Sequence, residues 1–286
     1  MRTVLPVGLS SCGKIASVTA PEETFFSDLS DAGITHAEIS LHHSQYPLID
    51  RKAFASLADR FGITLRSYHL PFSPFETNDI SSLDASVRKE TLSMQSEYLK
   101  HAGEMGCRVC VIHPSGEPIE NGMREERMKR AEESLSLLAE KAAENGLILA
   151  VEDLPRTCLG HDSEEIRRLI AVDDRLGVCF DTNHLLTEEP TDFIRKIGQR
   201  IVTTHVSDYD RIDERHWMPG EGVTDWANLY RTLLEVGYDG PWLYELDYET
   251  PHTLTRPRKL TAKDFKKNAD EIFSGNAPTR IGTPKH

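Results

Sequence analysis

The sequence predicts an α/β protein, a single (β/α)8 TIM barrel, on three observations. Eight short apolar runs rich in Val, Ile and Leu recur along the 286 residues. Longer stretches with helical periodicity separate them. Strict alternation of the two implies parallel strands joined by right-handed crossovers. Eight such units favour closure into a barrel, a fold of about 250 residues, over the alternative of a doubly wound sheet with fewer strands.

The first strand is expected at Val4–Ser10 and its helix at Glu22–Ala32. The second unit is His36–Ser40 with Asp50–Phe61, and the third is Ile63–Leu70 with Leu83–Met105. The fourth is Arg108–Pro114 with Arg124–Asn145, a helix ended by Asn145-Gly146 because both residues tolerate positive φ. In the fifth, Leu147–Leu154 with Ser163–Val172, Ser163 is the expected N-cap, with Glu164 and Glu165 set against the helix dipole. The sixth is Leu176–Thr182 with Thr191–Gly198, and the seventh is Ile201–Ser207 with Trp226–Val236, closed by Gly237. Trp242–Asp247 with Ala262–Phe273 is the eighth. The barrel is expected to occupy residues 1–274, leaving 275–286 as a flexible tail, frayed or used in an oligomer contact. No linker, internal repeat or low-complexity tract interrupts the pattern.

Composition narrows the partners. The chain carries 46 acidic and 33 basic residues, a formal net charge of −13. Nucleic-acid binders gather Lys and Arg to neutralise phosphates, and the densest basic stretches here, Arg256–Lys259 and Lys263–Lys267, are small. No nucleic-acid partner is expected. The five cysteines (Cys12, Cys107, Cys110, Cys158, Cys179) are odd in number and scattered, unlike a disulfide framework. Cys107 and Cys110 are spaced as C-x-x-C but lie on a strand, where residues three apart face opposite sides, so they read as structural. No apolar run approaches the roughly 20 residues that span a bilayer, and no export signal opens the chain. A cytoplasmic protein without a membrane partner is expected.

Polar residues collect where the apolar strands stop. The third strand ends in Tyr68-His69 and the fourth in Ile112-His113. The fifth ends in Glu152-Asp153 and the sixth in Asp181-Thr-Asn-His184. The seventh ends in His205-Val-Ser-Asp208 and the eighth in Glu245-Leu-Asp247. In a parallel barrel these positions meet on the rim where active sites are built. A lone His there is ordinarily a hydrogen-bonded rim residue and a lone carboxylate ordinarily an N-cap, the role assigned to Asp153 and Asp208. Six consecutive strands each delivering His, Asp or Glu point instead to a metal site, because a divalent cation removes the cost of crowding these groups together. The hard, oxygen-rich donor set suits Mn²⁺, Mg²⁺, Co²⁺ or Zn²⁺.

At these residues the sequence resembles the xylose isomerase-like TIM barrel superfamily of sugar phosphate isomerases and epimerases, which also includes endonuclease IV-type enzymes. Asp181-Thr-Asn-His184 resembles the family's D-x-x-H, and Trp217-Met-Pro-Gly-Glu-Gly222 resembles its P-G-x-G loop. The resemblance implies one divalent metal ion, manganese foremost, held by Glu152, Asp181, His205 and Glu245. It implies proton transfer beside a carbonyl through an enediolate, with Glu152 and Glu245 as the catalytic acid/base pair. His69, His113, His184 and His216 become substrate-binding candidates, the substrate a small sugar or sugar-like molecule, and the assembly a homodimer or homotetramer.

Two positions depart from the ketose 3-epimerase pattern: His216 stands where an Arg is usual, and Cys158 where a second substrate-binding Glu is usual. A related isomerase or a metal-dependent dehydratase therefore stays open. So does a multinuclear zinc phosphodiesterase, for which His69, His113, His184, His216 and Glu214 would be extra ligands. Against it stand the Asp-Leu-Pro that follows Glu152 and the Gly8-Leu-Ser-Ser of the first strand. A catalytically idle sugar-binding relative is the third possibility. Specificity is expected from the loops Phe72–Ser82, Glu117–Met123 and Tyr209–His216, with Tyr46, Phe72, Phe75 and Trp217 as candidates for an apolar wall.

Overall fold

The computed structural model describes residues 4–19 and 23–285. Eight parallel strands alternate with helices: β1 (Val7–Ser10), β2 (His36–Ile39), β3 (Thr64–His69), β4 (Val109–Ile112), β5 (Ile148–Glu152), β6 (Gly177–Asp181), β7 (Ile201–His205) and β8 (Trp242–Tyr244). They run in sequence order around the sheet, with β8 returning to pair with β1. A bridge between Val206 and Tyr244 joins β8 to the end of β7 and closes the barrel. Each strand is one to three residues shorter than the sequence suggests, because flanking apolar residues such as Leu5, Leu70 and Leu154 pack into the core without joining the ladder.

The helices are α1 (Glu23–Ala32), α2 (Arg51–Arg60), α3 (Ala85–Glu104), α4 (Arg124–Glu144), α5 (Ser163–Ile170), α6 (Pro190–Ile197), α7 (Trp226–Glu235) and α8 (Ala262–Phe273). Glu22, expected in the first helix, lies outside the described residues. Their apolar faces pack on the outside of the barrel, as Phe26, Leu99, Leu135, Ile166, Phe193, Leu233 and Phe265 do. Inside the barrel a second, small cluster of Val109, Val111, Ala150 and Cys179 forms an apolar plug. All five cysteines are free thiols; Cys107 lies before β4 and not on it, so it and Cys110 do not face opposite sides but are both buried in the outer core.

Three further expectations need correction. The cap of α5 is Asp162, whose carboxylate accepts from the Glu165 N–H at 2.9 Å; Ser163 is the first helical residue and donates to Glu188. Neither Asp153 nor Asp208 caps a helix. Asp153 accepts from the Asp181 N–H at 2.8 Å, while Asp208 accepts from Gly220, Gly222 and the Trp226 indole and shapes the loop after β7. Of the segment 275–286, expected to fray or make an oligomer contact, the described residues 275–285 have defined partners within the chain: Thr283–Pro284 (β10) pairs antiparallel with Leu254–Thr255 (β9). Its anchor is the fully buried ion pair of Arg256 with Glu221, whose carboxylate also accepts from the Gly282 N–H at 2.6 Å. Pro and Gly make this segment look like a tail in the sequence, but its backbone groups are satisfied by distant loops.

Among the described residues, no helix is long and apolar enough to cross a membrane.

Candidate metal centre

Glu152, Asp181 and His205 are the last residues of β5, β6 and β7, and Glu245 is the first residue past β8. Parallel register sets Asp181 beside His205, so the barrel itself brings these side chains together. One ligand atom from each of the four lies within 4.8 Å of the others. Glu152, Asp181 and His205 are fully buried; Glu245 keeps slight exposure, 13 % of its side chain, at the cavity floor. Glu152 is shared, since His69, His113 and Glu152 form an adjoining cluster within the same limit. His184, Glu214 and His216 form another, nearer the mouth.

The imidazoles are oriented by their outer nitrogens. A carbonyl oxygen can only accept, so a ring nitrogen facing one carries a proton. His69 Nδ1 donates to the Leu70 carbonyl at 2.8 Å, and its Nε2 faces Glu152 at 3.2 Å. His184 Nδ1 donates to the Asp153 carbonyl at 2.8 Å, and its Nε2 faces Glu214 at 3.2 Å. His205 has carboxylates on both sides: Nε2 faces Glu38 at 3.1 Å, and Nδ1 faces Glu152 at 2.9 Å and Glu245 at 3.2 Å. A neutral ring can donate from only one nitrogen, so its other nitrogen is a bare lone pair, pointed here at a carboxylate. Two acceptors held face to face need a cation, a proton or a metal ion, between them.

Charge says the same. Burial works against the charged form of His69, yet the hydrogen bond and charge of Glu152 outweigh it and lift its pKa to about 9. Burial likewise opposes charge on His184 and His205, and the surrounding acidic groups more than reverse it. Burial pushes Asp181 up to about 6, helped by Glu245 and Glu152 against the opposing pull of His184. Asp181 Oδ2 has no hydrogen-bond partner. A buried acid cluster that draws protons onto its imidazoles, with one carboxylate oxygen left over, has the donors and the charge demand that a divalent cation meets. Metal-binding histidines characteristically donate their outer N–H to a carbonyl or carboxylate, which is the pattern found here. The residues present therefore fit a divalent ion.

Above the centre opens a cavity of about 470 Å³, with His69, His113, His184, His216, Glu152 and Glu245 among its lining and Phe72, Phe75, Leu154, Pro155 and Leu246 as an apolar wall. Phe72 stacks on His113 at 4.4 Å between ring centroids. Tyr46 and Trp217 are not part of this wall. Tyr46 is buried behind β3, donating to the His69 carbonyl at 2.5 Å, and Trp217 donates to Thr253. Cys158 lines the cavity, and His216, at positive φ, donates Nδ1–H to the Glu245 carbonyl at 3.2 Å.

Two participants were missed in the sequence. Glu38 sits inside the four-residue strand β2, where attention to strand ends passes over it. Arg156, on the loop after β5, pairs with Glu117, Asp213 and Glu214 and so ties three loops together at the cavity mouth. An acid at an inward position of a short strand is a readable signal; three loops converging on one arginine is not.

The model of the xylose isomerase-like TIM barrel family matches residues 26–267, and the chain belongs to that family. An uncharacterised protein of Methanocaldococcus jannaschii is 29 % identical over 198 residues, covering 66 % of each chain. Fructoselysine 3-epimerase of Escherichia coli O157:H7 is 24 % identical over 258 residues, 85 % of this chain and 90 % of that one. The crystal structure of a D-tagatose 3-epimerase-like protein superposes with a TM-score of 0.77 at 23 % identity, covering 94 % of this chain and 96 % of that one, a likeness of fold.

Proposed function

We propose that this chain is a divalent-metal-dependent isomerase or epimerase acting on a small polyhydroxylated carbonyl compound, with Glu152, Asp181, His205 and Glu245 as the ligands of one ion, Mn²⁺ foremost. The observation that carries the reading is the aim of His69 Nε2 and His205 Nδ1 at carboxylates on the floor of a cavity large enough for a sugar. The epimerase relatives support the reaction class. When bound, the ion supplies stabilisation for negative charge developing beside the reacting carbon. Glu245 is the more available proton carrier, because both oxygens of Glu152 already face imidazoles. His184 and His216 stand where they can hold substrate oxygens, and the Phe72–Phe75 wall keeps bulk water from the reacting carbon.

The test is exchange of the α-proton with D₂O, followed by ¹H NMR over a panel of ketopentoses, ketohexoses and keto-cyclitols. Glu245→Gln is expected to lower exchange by about 10²–10⁴-fold, the range of a general acid/base. Normal exchange in both Glu245→Gln and Glu152→Gln would sink the reading.

A second reading, a multinuclear zinc phosphodiesterase, is favoured by one observation: His69–His113–Glu152 and His184–Glu214–His216 each form a further donor cluster. Against it, Arg156 is the only Arg or Lys among the described residues lining the cavity, and three carboxylates engage it. Two or three zinc ions per chain by elemental mass spectrometry, with hydrolysis of bis-p-nitrophenyl phosphate, would establish that reading; about one ion supports the isomerase.

A further inference from the structure

We infer that Glu38 is a positioning residue of the metal centre, a buried carboxylate that orients His205 and strengthens its ring as a donor to a divalent ion. The inference rests on reading Glu152, Asp181, His205 and Glu245 as ion ligands. Glu38 comes from β2, on the side of the barrel away from the four ligand strands. The β2–β3 ladder shifts register between Ala37 and Glu38, the kind of irregularity that re-aims a side chain. The shift pairs Glu38 with Ser67, whose hydroxyl donates to Glu38 Oε2 at 2.7 Å. The same oxygen accepts from His205 Nε2 at 3.1 Å.

The contrast with the other rim imidazoles carries the argument. His69, His184 and His216 each donate their outer N–H to a backbone carbonyl, a neutral dipole. His205 alone of these four donates to a full negative charge. With the Nε2 proton held by that bond, Nδ1 is the nitrogen turned toward Glu152, Asp181 and Glu245, where an ion would take the place of a second proton. The charge also makes the ring a better electron-pair donor. A role confined to packing explains this poorly. Glu38 is wholly buried and its Oε1 has no hydrogen-bond partner, a costly arrangement that an apolar residue of similar size would avoid.

The experiment is titration of metal-free protein with Co²⁺ and Zn²⁺, reading the dissociation constant and the visible absorption of the Co²⁺ form. Glu38→Gln keeps the volume and an acceptor for His205 but removes the charge. It is expected to weaken binding by about 10–100-fold, the range for an outer partner of a metal ligand, and to change the Co²⁺ spectrum. Ser67→Ala, which frees Glu38 without touching its charge, is expected to weaken binding less. Affinity and spectrum unchanged in Glu38→Gln would overturn the inference while leaving the ligand reading intact. No uptake of either ion by the wild type would overturn both. If Glu38→Gln fails to fold, Ser67→Ala decides: weakened binding with an unchanged circular dichroism spectrum supports the inference, and unchanged binding overturns it.

Discussion

The inner cluster of Glu152, Asp181, His205 and Glu245 and the outer cluster of His184, Glu214 and His216 use the same donor types on opposite terms. The inner donors sit at or next to the ends of four strands, in one register, on a buried floor. Apart from His184, the outer donors sit in the loop after β7 and are partly exposed. Their positions depend on remote contacts: the N–H groups of Arg215 and His216 reach Asn183 Oδ1, and Arg156 pulls on Glu214. A strand-borne site is set by the barrel and cannot move far without unfolding it. A loop-borne site is set by whatever holds the loop, and is the natural place for specificity to vary.

The largest expected effect breaks the inner cluster. Asp181→Asn removes the carboxylate whose Oδ2 lacks a partner, and should weaken Co²⁺ binding by more than the about 10–100-fold typical of outer partners, measured by titration of the metal-free protein. Its fold, read by circular dichroism, should persist, because the change relieves a crowd of buried acids.

Next is the anchor of the outer loop. Arg256→Met leaves Glu221 buried and uncompensated, which should cost about 3–5 kcal/mol by denaturant unfolding. Glu221→Leu combined with Arg256→Met should recover much of that loss. Recovery of stability without recovery of turnover would assign the clasp of the C-terminal segment to loop placement; the Gly220 N–H and carbonyl are held by Asp208 and Arg280 respectively, inside that clasp.

A smaller effect separates the clusters directly. Glu214→Gln should leave the first equivalent of Co²⁺ binding within about twofold of wild type, while abolishing any weaker second equivalent. Equal losses at both would show that the clusters act as one site.

The smallest effect concerns the first turn of α5, beside the loop after β5. Burial would raise the carboxyl of Glu165, but hydrogen bonds from His161, Arg124 and the Gly160 N–H outweigh it and hold its pKa near about 2. A depressed folded pKa means stability fully present above the ordinary carboxylate range and lost as pH falls through it toward 2. Glu165→Gln should flatten that part of the stability–pH curve, on the order of 1 kcal/mol for a partly exposed group after solvent screening. An unchanged slope between pH 4.5 and 2 would assign the acid sensitivity to other groups.

The barrel was legible because its signal is periodic and repeated. Eight apolar runs with helical stretches between them leave few ways to bury both faces, and the run ends locate the rim without any knowledge of the loops. The four inner donors were legible for the same reason, since a strand end is a place on the rim. Glu38 was hidden because its importance comes from a partner on β7, 167 positions away. Tyr46 and Trp217 were misplaced because an aromatic in a loop carries no mark of which way it turns. The partners of residues 275–285 were not legible because backbone groups satisfied by distant loops leave no trace in local composition.

What the sequence alone determined is the architecture and the ring of donors at its mouth, since hydrophobic periodicity and parallel register act through near neighbours along the chain. What only the tertiary structure decided is how those donors are aimed: which nitrogen of each imidazole faces inward, which carboxylate stands behind His205, and which arginine clamps the mouth. Those choices depend on hydrogen bonds and charges that act across a few ångströms of space between residues far apart in the chain.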